Sequence, residues 1–138
     1  MRATIRKARE MAFKLVFEDT FGTSTAKEML PGLFEEEDDA LRALQEEAAY
    51  IEDIRVLVRT HKAELDQIIA SYAKGWSVER MNRTDLSLLR LALCEIRYRD
   101  DVPAGAAINE AVELAKKYSS PEAPAFINGI LGAYSKTL

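Results

Sequence analysis

The residues MNRTDLSLLRLALCEIRYR, at positions 81–99, are the most continuously apolar stretch of the sequence. Their apolar side chains fall on nearly every side of a helical wheel, which is typical of a central helix surrounded by other helices. The stretch is too short to cross a bilayer, and it carries Asp85, Arg90 and Glu95. Asn82 precedes Asp85 by three residues and predicts an N-cap. We therefore expect the core helix of a soluble helical domain.

The fold class follows from the pattern of the remaining chain. Its 138 residues are enough for one domain with a hydrophobic core, and six Gly and four Pro are few for a sheet protein. Helical spacing recurs along the chain and strand-type alternation is absent. We predict an all-α fold, a compact single domain over residues 1–138. It should contain about seven helices, near residues 4–19, 26–30, 44–59, 63–73, 81–99, 103–118 and 123–136.

The charges are distributed unevenly along the chain. Within residues 1–14, five basic side chains oppose one acidic side chain, a balance of +4, so the rest of a chain of net charge −4 carries −8. Cations in the first turns of a helix oppose its dipole, so local stability does not explain this placement. Segregation of this kind suggests an anionic partner at the amino-terminal end and a basic partner elsewhere, with a solvated first helix as the alternative.

Little in the sequence points to catalysis or metal binding. Cys94 is the single cysteine and is expected to fill space in the core. His61 is the single histidine, and a zinc site needs about four ligands, so we expect a surface histidine at a junction between helices. There is no phosphate-binding Gly-rich loop and no nucleophile motif. The charged start lacks the apolar segment of a secretion signal. We expect a cytoplasmic protein that is not an enzyme and has no cofactor.

Five further residues allow two interpretations or predict local geometry. Gly75 predicts a left-handed helix end. Trp76 is expected to pack the following connection against the core, and the alternative is an exposed stacking role. Asn109 and Asn128 lie in apolar helix patterns, which favours buried amides over side chains that read RNA bases. Gly129 within the last helix predicts that another helix passes close by, because glycine there costs about 1 kcal/mol relative to alanine.

Three blocks of the sequence together resemble the NusB family of bacterial transcription antitermination factors. They are RKARE at 6–10, DLSLLRLA at 85–92, and the pair AINEAVELAK at 107–116 with FINGIL at 126–131. The resemblance spans essentially the whole chain and is weakest between residues 20 and 50. It implies two packed helical bundles. It also implies binding of boxA-type single-stranded RNA of ribosomal RNA operons, jointly with the ribosomal protein NusE, in the antitermination complex of elongating RNA polymerase.

The same resemblance implies where RNA would bind. Arg6, Lys7 and Arg9 match the basic motif that contacts RNA in the family, and the neighbouring Arg2 adds to the same charge. Glu122 and Phe126 match positions that border the RNA surface, although Glu122 stands where Asp is more usual. Tyr72 and Lys14 are weaker candidates. The predicted RNA-binding residues are Arg2, Arg6, Lys7, Arg9, Lys14, Tyr72, Glu122 and Phe126.

Three other residues are predicted to contact the protein partner. Glu79 and Asp85 offer acidic groups to a basic ribosomal protein. Phe17 stands where Tyr is common in the family, so a polar contact made by that hydroxyl is lost here. Two alternatives remain open from the sequence. One is a relative of the RNA-positioning helical domain of an rRNA methyltransferase, and the other is a protein-binding helical module, such as a homodimer that masks its basic helix.

Overall fold

The computed structural model describes residues 3–21 and 37–138, and these residues form five α-helices and no strand. The helices are α1 (Ala3–Phe21), α2 (Glu37–Tyr72), α3 (Arg83–Tyr98), α4 (Ala104–Tyr118) and α5 (Ala123–Ser135), with a 3-10 turn at Val78–Arg80 before α3. The all-α prediction is confirmed. The predicted number of about seven helices is wrong for the described part, and the helix predicted at 26–30 lies outside it.

Helix α2 accounts for part of that error. The sequence predicted two helices that meet near His61, whereas Glu37–Tyr72 is one helix of 36 residues. Neither Gly nor Pro occurs within it, so nothing interrupts the hydrogen-bond ladder, and the helix is about 54 Å long. His61 is an ordinary helical residue whose ring stacks on Tyr98 at a centroid distance of 4.2 Å. The helix junction predicted near His61 is therefore wrong.

The chain divides into two compact units, Met1–Val56 and Leu57–Leu138. In the first unit, α1 buries an apolar face that includes Met11, Phe13 and Val16. Arg55 of α2 makes a bidentate ion pair with Asp19 of α1, with Nη2–Oδ1 at 2.8 Å and Nε–Oδ2 at 3.2 Å. Apolar burial and this paired geometry hold the amino-terminal helix against α2.

In the second unit, α3 is the central helix, as its sequence predicts. It packs against α4 and α5, which also pack against each other. Its buried side chains lie on all sides, and Leu86, Leu88, Leu89 and Leu93 are fully buried. Cys94 is buried as well. No helix of the described residues is long and apolar enough to span a membrane.

Two predicted helix ends are confirmed, the start of α3 and the end of α2. The Asn82 side chain accepts a hydrogen bond from the Asp85 backbone N–H at 2.8 Å, which caps the helix. Gly75 has a φ of +79° where the chain turns after α2. A residue with a side chain would be strained in that conformation, so glycine ends the segment cleanly.

Three other predictions for the second unit are wrong. A Cβ added at Gly129 would meet no atom within 4 Å, so no neighbouring helix explains this glycine. Asn109 and Asn128 are exposed, although they were predicted to be buried amides. Both lie one residue from the apolar stripe of their helices, and an error of one position on a helix changes the side that a residue faces.

A buried ion pair links α2 and α3. Arg90 has 5% of its side chain exposed and donates two hydrogen bonds of 2.8 Å to the carboxylate of Asp66. Asp66 itself is 23% exposed, so it keeps some contact with water. The bidentate geometry satisfies a cation that would be costly to bury alone.

We predict that Asp66→Asn lowers the free energy of unfolding by roughly 3 kcal/mol, because it leaves the buried Arg90 cation without its counterion. Asp101→Asn is the matched control, since Arg99 and Asp101 form a similar bidentate pair but Asp101 is 65% exposed. That control should cost at most about 1 kcal/mol. Urea unfolding followed by circular dichroism measures the stability of both variants. Equal losses of stability would show that the Arg90–Asp66 pair contributes no more than an exposed ion pair.

Candidate nucleic-acid interface

The basic residues of α1 differ strongly in exposure. Arg6 is exposed, and the side chain of Lys7 is 35% exposed with its Nζ 3.8 Å from Glu10 Oε1. Arg9 is 2% exposed and Lys14 is 4% exposed, and both interact with other groups of the chain. A side chain this buried cannot reach a phosphate without a change in conformation. The structure thus leaves Arg6 and Lys7 as the accessible cations of α1 among the described side chains, and Arg2 lies outside the described residues.

A second group of predicted residues lies in the other unit, around an open pocket. The ring of Trp76 meets the ring of Phe126 edge to face, with centroids 6.1 Å apart and planes at 67°. Trp76 is 54% exposed, so the prediction that it packs against the core is wrong. Glu122 is exposed at the start of α5 and Phe126 is half-buried. Trp76, Glu122 and Phe126 line a pocket with a volume of about 310 Å³. Its other lining residues are Arg80, Met81, Asn82, Asp85, Ser120 and Ala123.

Hydrogen bonds to Asp85 hold one wall of this pocket. Ser119, which follows α4, donates from Oγ to Asp85 Oδ1 at 2.6 Å, and Asn82 donates from Nδ2 to Asp85 Oδ2 at 3.2 Å. Burial raises the pKa of the Asp85 carboxyl, and the hydrogen bonds from Ser119 and Asn82 partly offset that rise. Ser119 was not predicted from the sequence. The break in the helical pattern at residues 119–122 was its one local signal.

A second aromatic group surrounds Tyr72. Its ring packs edge to face on Tyr134, with centroids 5.9 Å apart, and it is half-buried. Arg97 donates from Nη1 to the Tyr134 hydroxyl at 2.9 Å and pairs with Glu64 through Nη2 at 2.6 Å. The hydrogen bond to Tyr134 raises the pKa of Arg97, so this guanidinium stays charged. The sequence analysis did not include Arg97, because it meets this aromatic pair from a different helix, through the Tyr134 hydroxyl.

The three residues predicted to contact a protein partner are not equally accessible. Glu79 is exposed. Phe17 is 1% exposed and packs on Phe13 at a centroid distance of 6.2 Å, and Asp85 is 7% exposed. Side chains this buried shape a surface from beneath and offer it little area. Among the described residues, no group of three or more His, Cys, Asp or Glu is arranged to hold a metal ion.

An all-helical chain with accessible cations on its first helix and an open aromatic pocket has the features of a helical RNA-binding protein. The family model described as the NusB family matches residues 6–136. The chain therefore belongs to the NusB family, whose members are transcription antitermination proteins and not enzymes. The resemblance drawn from the sequence is confirmed.

Individual relatives agree with this assignment. The transcription antitermination protein NusB of Agathobacter rectalis is 40% identical over 133 residues, which are 96% of this chain and 99% of that protein. The structure of T. maritima NusB matches with a TM-score of 0.74 at 29% identity, covering 99% of this chain and 93% of that one.

The structure of the antitermination factors NusB and NusE in complex with dsRNA also contains a matching chain. It has a TM-score of 0.74 at 26% identity and covers all of both chains. The fold is therefore shared with a protein that has been crystallised with RNA and with NusE.

We predict that Ser119→Ala destabilises the protein by about 1–3 kcal/mol near pH 7, because it removes a donor from the buried Asp85 carboxylate. The lost hydrogen bond had lowered the pKa of Asp85, so the folded-state pKa rises further in the variant. A raised carboxyl pKa weakens the fold above that pKa and has no effect where the carboxyl is protonated in both states. The cost should therefore shrink as the pH falls from 7 toward about 4.

Ser71→Ala is the matched control, since Ser71 is exposed and bonds only a carbonyl one turn back in α2. Its effect should stay within about 0.5 kcal/mol at every pH. Urea unfolding at several pH values measures both variants. A cost at Ser119 that does not change with pH would show that Asp85 is not the group through which this hydroxyl acts.

Proposed function

We propose that this protein is an antitermination factor that binds boxA-type single-stranded RNA of ribosomal RNA operons together with NusE. The bound RNA would thereby be tethered to elongating RNA polymerase in the cytoplasm. The observation that carries the proposal is the whole-chain match to a NusB that was crystallised with NusE and RNA. Its energy would come from recognition, without a chemical step.

The electrostatics support a two-protein RNA complex. Arg6 and Lys7 are the accessible described cations of α1, and the rest of the chain is acidic. Each neutralised phosphate of a single strand contributes a salt slope of about −0.7, so two contacts give a slope of only about −1.4. We therefore propose weak RNA binding by this protein alone and tighter binding once a basic partner joins.

The proposed contacts follow the accessible residues. For RNA they are Arg6, Lys7, Glu122, Phe126 and Tyr72, with Arg2 as a further candidate. Arg9 and Lys14 would support α1 from within. Contact with the partner protein would centre on the exposed Glu79 in the second unit, where the buried Asp85 would support the surface. The buried Phe17 would support a partner contact of the first unit from within.

The alternative is a homodimer that masks α1. A dimer of this kind would dissociate on dilution, and its apparent RNA affinity would fall as protein concentration rises. Gel filtration with and without RNA distinguishes this homodimer from a monomer that binds RNA.

We predict that reversing Arg6 and Lys7 together to Glu weakens binding of a fluorescein-labelled boxA RNA at least tenfold, both alone and with NusE. The variant loses two phosphate contacts and gains two repelling charges. Fluorescence anisotropy at several salt concentrations measures the affinity, and the salt slope should become less negative by about 1.4. Circular dichroism should remain helical.

The matched control reverses Arg59 and Lys62, two exposed cations of α2, and changes the net charge by the same amount. It should retain most of the affinity. If both double variants lose affinity equally, the effect is due to net charge and α1 is not the RNA site. If neither loses affinity, the proposed contacts of α1 are wrong.

A further inference from the structure

We propose that the pocket between Trp76 and Phe126 receives one unpaired RNA base, which stacks on the Trp76 indole. This inference rests on the proposed function, because it requires that the chain binds RNA. Phe126 and Glu122 already belong to the proposed RNA surface. Trp76 is the new residue, and with it the pocket becomes a site that distinguishes single-stranded from double-stranded RNA.

The exposure of Trp76 is the first observation. An indole that is 54% exposed leaves a large apolar area in water, and its ring meets the Phe126 ring at a steep angle. Trp76 and the aliphatic Val56 and Leu138 are the large apolar residues that stand exposed among the described side chains. Of the three, Trp76 alone has a π-face on which a base can stack.

The shape of the pocket is the second observation. Its volume of about 310 Å³ is at the lower end of the range for small-molecule sites, which suits a group the size of one base. Trp76 and Phe126 form an aromatic corner, and Met81 and Ala123 add apolar surface. The two rings do not stack face to face, and the indole is 54% exposed, so indole surface remains available to a third ring.

Charge at the rim is the third observation. Arg80 lines the pocket, and Lys74 and Arg83 are exposed within the same segment of chain. The Arg80 guanidinium can hold a phosphate next to an inserted base, and the exposed Lys74 and Arg83 add positive charge to this segment of chain. Glu122 also lines the pocket and is an acceptor for amino or imino groups on the edge of a base. The set combines stacking, phosphate contact and edge contact, which is how proteins hold single-stranded RNA.

A paired base cannot use this pocket. In a duplex each base is stacked on both sides and its pairing edge is occupied, so entry would require that the base leaves the helix. The pocket therefore favours a single strand over a duplex of the same sequence.

The test uses the fact that Trp76 is the only tryptophan of the sequence. Titration of the full chain with single-stranded boxA RNA, with NusE bound if needed and NusE fluorescence subtracted, should quench Trp76 emission as the base stacks. The fully complementary duplex should quench it much less. Trp76→Leu should weaken single-strand binding about 5- to 100-fold, and Trp76→Phe should retain most of the affinity.

RNAs that carry one abasic site at successive positions identify the inserted base. One position should lose both the quenching and affinity for the wild type, and that same abasic site should cost nothing further in Trp76→Leu. Phe126→Leu should weaken binding in the same direction, and circular dichroism confirms that each variant is folded.

The outcomes separate the two proposals. If the wild type binds RNA and reversal of Arg6 and Lys7 abolishes binding, but Trp76→Leu binds as tightly as wild type, the base pocket is wrong and the proposed function stands. Equal quenching by single strand and duplex would also overturn the pocket. If the wild type binds no RNA with or without NusE, the proposed function is wrong, and the base pocket that depends on it is wrong as well.

Discussion

The second unit of this protein depends on the complete burial of α3. Its apolar side chains lie on all sides, so it must be surrounded. Helices α4 and α5 pack against it, and α2 supplies Asp66 as the partner of Arg90. The hydrophobic contribution of such side chains is about 1.5–3 kcal/mol each, and the number of buried leucines on this helix makes their sum the largest stabilising term. Among the polar interactions, the Asn82 cap fixes where the helix begins, and the Arg90–Asp66 pair links it to α2.

The start of α3 connects this core to the candidate site. Asn82 caps the helix, and Asp85 in its first turn accepts hydrogen bonds from Asn82 and from Ser119 after α4. Asn82 and Asp85 also line the pocket beside Trp76. A buried carboxylate with a raised pKa is therefore part of the support of a surface pocket. Ser119 links the end of α4 to that support, so core packing and pocket shape are coupled.

The sequence predicted those features that depend on local signals. The position of α3, its Asn82 cap and the left-handed Gly75 each follow from neighbouring residues, and the structure confirms them. Features that depend on distant parts of the chain were predicted poorly. The burial of Arg9 and Lys14 and the exposure of Trp76 are set by residues that pack nearby in space, and no spacing rule reports these. The sequence predicts a junction between helices at His61, but this stretch contains neither Gly nor Pro and the helix continues through it.

The central claim is that RNA contacts this protein at the accessible cations of α1 and at the aromatic pocket before α3. Ultraviolet cross-linking of single-stranded boxA RNA to the protein–NusE complex, followed by mass spectrometry of the linked peptides, tests it directly. The account predicts cross-links on peptides that contain Trp76 or Phe126 and on the amino-terminal peptide. Cross-links confined to α2, with both of those regions unmodified, would contradict it.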